Sequence, residues 1–91
     1  MTRDDEVTRG HQASEVLEHP MYIEAFEALR SETWREWERS TSAEERERLF
    51  LFHQALSRVR ARLQTIMQTG QLALNPSEQS RYAAGQNFIG H

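Results

Sequence analysis

The sequence predicts an all-α chain, an antiparallel helical hairpin with a short third C-terminal helix and mobile termini. Leu49, Phe52, Leu56, Val59, Leu63 and Ile66 recur at alternating spacings of three and four, the a/d seam of one long helix. Tyr22, Phe26, Leu29, Thr33 and Trp37 form a second helical stripe, widened by Ile23 and Trp34. Only Ser40-Thr41-Ser42 separates the two patterns, and so short a connection turns the second helix back along the first.

From the N-terminus, residues 1–13 carry charge without periodicity and include Gly10, which predicts a flexible arm. The hairpin domain follows over residues 14–74. Ser14 is expected to cap a short turn through Glu18. His19 is biased away from helical geometry by the proline that follows it, and Pro20 suits the first turn of a helix reaching Arg39. Along that helix Glu27 and Arg30, Glu32 and Arg35, and Glu36 and Arg39 are spaced by three, placing opposite charges side by side on the solvent face.

Ser42 with Glu45 reads as a capping box, opening a helix at Ala43 that continues to Thr69, where Gly70 is expected to close it. At 1.5 Å per residue that helix is roughly 40 Å long. Asn75-Pro76-Ser77-Glu78 repeats the start signal and predicts a short helix to Ala84 within the terminal segment 75–91, followed by a polar tail that carries Phe88 and Ile89.

A chain of 91 residues allows one domain, and its small core gains from association with a partner. The absence of cysteine removes disulfides, thiolate metal sites and a cysteine nucleophile. The longest apolar run, Leu49 to Phe52, is far below the roughly 20 residues that span a bilayer, so no membrane partner is expected. His11, His19, His53 and His91 offer no helical pair at metal-ligand spacing. The serines, histidines and aspartates lack a nucleophile-elbow context, and the four glycines are too dispersed for a phosphate loop. No enzymatic activity, cofactor or metal is expected.

Charge is distributed unevenly. Ser14 to Arg39 holds seven glutamates against three arginines, whereas His53 to Thr69 holds Arg58, Arg60 and Arg62 and no acid. Reflecting the hairpin about Thr41 sets Glu24 near Arg58, and Glu18 or Pro20 near Arg62, so the arginines are expected to steer register. Only Arg58 and Arg62 share a helix face, and they are the candidate phosphate contacts. With a net charge of −3, nucleic acid is not the expected partner. The expected interface residues are Phe50 and Leu51, which lie outside what a two-helix hairpin shields, Trp34 and Trp37 near the hairpin tip, and Phe88 and Ile89 in the tail.

Val16-Leu17-Glu18-His19-Pro20, then Glu24-Ala25-Phe26-Glu27-Ala28-Leu29 and Trp34, resemble the opening of a group of short helical proteins encoded by tailed bacteriophages near head and DNA-packaging genes. Arg46-Glu47-Arg48-Leu49, Leu56, Val59-Arg60, Leu63 and Thr69-Gly70-Gln71-Leu72 are similar to the remainder of that group. The likeness spans residues 14–74, and its motifs are caps and packing patterns. It implies a non-enzymatic structural or adaptor component of a phage particle or its assembly, located in the virion or host cytoplasm, with other phage structural proteins or itself as partner. It carries over no catalytic or binding residue. The tail 75–91 departs from the lysine-rich endings of the group, which argues against DNA binding there. The alternatives are an accessory DNA-packaging or DNA-binding protein and a small regulatory protein that binds a host factor.

Overall fold

The computed structural model describes residues 2–74 as three helices, α1 (Arg3–Glu18), α2 (Pro20–Arg39) and α3 (Ala43–Leu72), with no strand among them. The predicted third C-terminal helix and the tail residues Phe88 and Ile89 lie outside the described residues.

Residues 3–13, expected as a flexible arm, belong instead to α1. Its start is a reciprocal capping box. The Thr2 hydroxyl accepts from the Asp5 amide at 3.2 Å, and the Asp5 carboxylate accepts from the Thr2 amide at 3.3 Å. Asp4, Asp5 and Glu6 place negative charge in the first turn, where the helix dipole favours it. Ser14 is therefore a mid-helix residue rather than a cap. Its hydroxyl points along the helix to the Glu18 carboxylate at 3.5 Å.

The break at His19 and Pro20 falls where expected, and one residue serves both helices. The His19 backbone amide donates to the Val16 carbonyl at 3.1 Å, ending α1. Its Nδ1 accepts from the Met21 amide at 3.1 Å, starting α2 with Pro20 in the first turn. At the other end of α2, the Ser40 hydroxyl donates to the Ser42 carbonyl at 3.1 Å. The Ser42 hydroxyl then accepts from the Glu45 amide at 3.3 Å and opens α3.

Both α1 and α2 run antiparallel to α3. Arg3 Nε donates to the Ala73 carbonyl at the far end of α3, while Gly10 faces Gly70 and Ile66. Further along, Phe26 faces Arg60 and Trp37 faces Arg46. The hairpin thus has one long arm and one arm broken at His19. The α1 and α3 helices make the most extensive contact of the three pairs.

Small residues account for that ranking. Gly10 and Ala13 are buried on α1, and their lack of bulk lets the two backbones approach. A Cβ at Gly10 would sit 2.8 Å from the Gly70 Cα, and one at Gly70 would sit 2.9 Å from the Glu6 carbonyl oxygen. Gly70 was expected to end the helix in a left-handed conformation. It lies instead within α3, no glycine among the described residues has positive φ, and α3 ends at Leu72. On α2 the contacts are Phe26, Thr33 and Trp37, whose larger side chains hold that helix further from α3.

The core is thin. Ala13, Phe26 and Leu49 are the buried apolar residues, and no side chain is wholly excluded from solvent among the described residues. One polar atom within this layer is orphaned, since the buried Tyr22 hydroxyl oxygen has no hydrogen-bond partner among the described residues. Such a group costs about 1–3 kcal/mol.

Gly10→Ala and Gly70→Ala are each expected to lower the thermal midpoint. Driving a methyl into backbone costs about 1–3 kcal/mol, which outweighs the gain in helix propensity of up to about 1 kcal/mol. Circular dichroism melts would show the reverse, a raised midpoint, if α1 did not rest on α3. Tyr22→Phe is expected to leave stability unchanged or raise it by about 1 kcal/mol, read by chemical denaturation; a loss of that size would show that the hydroxyl is satisfied.

Candidate docking surface

The heptad seam of α3 is covered on one side only. Leu49, Leu56, Leu63 and Gly70, every seventh residue, are buried or half-buried. Of the alternate positions, Phe52 is 46% exposed and Val59 58% exposed, while Ile66 is half-buried where α1 crosses. With α2 held off by Phe26 and Trp37, Phe52 and Val59 stay open, while α1 lies against Ile66 and Gly70.

Phe50 and Leu51 are both exposed among the described residues, but they belong to different surfaces. At 100° per residue, consecutive positions point a quarter-turn or more apart. Phe50 turns toward α2 and joins Trp34, Trp37, Leu49 and His53 in lining an open groove of about 380 Å³, with Glu27 and Arg30 at its rim. Leu51 is not part of that groove and lies, 55% exposed, beside Phe52.

The groove is anchored at the hairpin tip. An Arg46 guanidinium nitrogen donates to the Ser40 carbonyl at 3.0 Å, and the same group lies 6.0 Å from the centre of the Trp37 ring. The pairing holds the loop and half-buries Trp37. Trp34, one helical turn earlier and 61% exposed, has no such support. On the groove rim Glu27 and Arg30 approach to 4.0 Å, whereas the equivalent pairs Glu32 with Arg35 and Glu36 with Arg39 do not form.

The expected charge match of Arg58 with Glu24 and of Arg62 with Glu18 is not made. Of Arg58, Arg60 and Arg62 it is Arg60 that meets α2, with its guanidinium 5.0 Å from the centre of the Phe26 ring. The hairpin register is therefore set by arginine on aromatic faces at Phe26 and Trp37. Arg58 and Arg62 are exposed on α3, without an ion-pair partner among the described residues.

Among the described residues no group of three histidine, aspartate or glutamate side chains could hold a metal ion. No helix among them is long and apolar enough to cross a membrane. What the surface offers chemically is apolar and aromatic area framed by charge, suited to receiving a helix or a ridge of apolar side chains.

The two tryptophans are expected to separate stability from surface chemistry. Trp34→Ala should change unfolding free energy by less than about 0.5 kcal/mol, as exposed sites do, while Trp37→Ala should cost about 1–3 kcal/mol. Urea unfolding followed by far-ultraviolet circular dichroism checks this, and equal losses for both variants would contradict the assignment.

Comparison with protein-family models, with curated proteins and with solved structures found no match for this chain.

Proposed function

We propose that the chain is a non-enzymatic structural or adaptor component of a bacteriophage particle or its assembly, acting in the virion or host cytoplasm by docking helix against helix. The observation that carries the docking role is the groove between α2 and α3, where Trp34, Trp37 and Phe50 present aromatic surface on a braced hairpin tip. Exposed tryptophan and phenylalanine at one place are the residue types that dominate binding energy at protein interfaces. The phage context is supported by the resemblance over residues 14–74.

Mass spectrometry of purified particles and assembly intermediates tests the proposal. The chain is expected in one or both, and Trp34→Glu or Phe50→Glu is expected to reduce its incorporation at least about tenfold while helicity is retained. Absence of the wild-type chain from both overturns the proposal.

Arg58 and Arg62, exposed without an intramolecular acid, favour a second reading as an accessory DNA-packaging or DNA-binding protein. Two phosphate contacts predict a slope of log binding constant against log salt no steeper than about −2. Filter binding across a salt series checks this. Measurable binding with a slope of about −2, lost in Arg58→Ala with Arg62→Ala, would move the function to nucleic acid.

A further inference from the structure

The open face of α3 that carries Leu51, Phe52 and Val59 is separate from the groove, and its charges say what fits it. Glu44, Glu47, Arg58 and Arg62 are all exposed, and none has an ion-pair partner among the described residues. Glu44 and Arg62 are five turns apart and share one angular position on α3. Glu47 and Arg58 are about three turns apart and nearly do so. These two acids and two arginines therefore lie around Leu51, on one side of Phe52 and Val59, with the acids toward the start of the helix and the arginines toward its end, while the exposed Arg48 lies between that flank and Phe52.

The segregation is symmetric about one point. Glu44 and Arg62 are equidistant from His53 in sequence, Glu47 and Arg58 nearly so, and Leu51 and Ala55 straddle the same residue. A single partner helix of arbitrary sequence gives no reason for that symmetry. A copy of the same helix laid antiparallel does, because a two-fold axis brings the same flank of both helices together and matches each position with its reflection.

We propose that this face docks a second copy of the chain, α3 against α3 in antiparallel orientation, with the two-fold axis beside Phe52, level with His53 along the helix but on the face opposite its side chain. In that arrangement Glu44 faces Arg62 of the second copy and Glu47 faces its Arg58, and the axis doubles both pairs. Leu51 packs against Ala55 of the second copy near the centre, with the two Phe52 rings beside the axis. Val59 meets the aliphatic stem of Arg48 from the second copy, which lies between Leu51 and Phe52 in angular position, its head group extending away from the axis. The interface stays clear of Ile66 and Gly70, and of Ala73 just beyond α3, which α1 contacts. It extends the docking function by naming one occupant of a face distinct from the groove.

Sedimentation equilibrium on the purified full chain tests this without any particle, so a monomer refutes the dimer while leaving groove docking to its own experiment. The wild type is expected at twice the 10.7 kDa chain mass, with an affinity that falls as salt rises. Glu44→Arg with Glu47→Arg, and separately Arg58→Glu with Arg62→Glu, should each raise the dissociation constant at least about tenfold. An equimolar mixture of those two variants should re-form a dimer, since every facing pair then has opposite sign. Phe52→Glu should give a monomer with unchanged circular dichroism. A monomeric wild type overturns the proposal and leaves the stripe to residues 75–91 or to a foreign helix. A dimer indifferent to both charge reversals, or a mixture that fails to associate, overturns the antiparallel α3 pairing.

Discussion

The close approach of Gly10 to Gly70 is the constraint on which the remaining arrangement depends. With no side chain on either residue, the α1 and α3 backbones meet where any Cβ would collide with main-chain atoms. That contact, supported by Ala13 and by the Arg3 hydrogen bond to the Ala73 carbonyl, seats α1 on the C-terminal half of α3. Once α1 is seated there, His19 and Pro20 set where the chain redirects, and α2 has only the N-terminal half of α3 left to follow. The division of α3 between two short helices is thus a packing consequence of two glycines and one proline.

The same division explains why so much apolar surface stays open. Backbone contact through glycine and alanine is close but narrow, and contact through Phe26, Thr33 and Trp37 is broad but distant, so neither encloses the whole seam. Two different faces result. One is the groove braced by Arg46 between Ser40 and Trp37. The other is the stripe through Phe52 and Val59, flanked by unpaired charge of both signs. A small chain with so shallow a core gains stability from any partner that binds its folded form, so association and folding are linked here.

The sequence made α2 and α3 legible because their signals are strong and local. Pro20, Ser42 and the stripes of large apolar residues point to the same elements, and the antiparallel hairpin follows from the short connection. The α1 helix was illegible for a physical reason. Its buried face is Gly10 and Ala13, which add almost nothing to a hydrophobic period and, in the case of glycine, argue against a helix. The signal present was Thr2 with Asp5, a capping box written with aspartate in place of the commoner glutamate. Gly70 was misread by the same logic, since a glycine near a helix end suggests a cap unless another glycine is known to lie across from it. At the candidate surface, Phe50, Leu51 and Trp34 were legible as exposed residues. The separation of Phe50 from Leu51, and the capture of Arg60 rather than Arg58 by α2, depended on a register that charge spacing alone misjudged.

Amide hydrogen exchange on the full chain addresses the seating of α1 most directly, because it reads each helix separately. The glycine contact predicts that the amides around Gly10 and Ala13 are protected together with those from Ile66 to Gly70, at a level comparable to the Phe26 region of α2. Exchange of α1 at the rate of an unstructured peptide, while α2 and α3 stay protected, would contradict it.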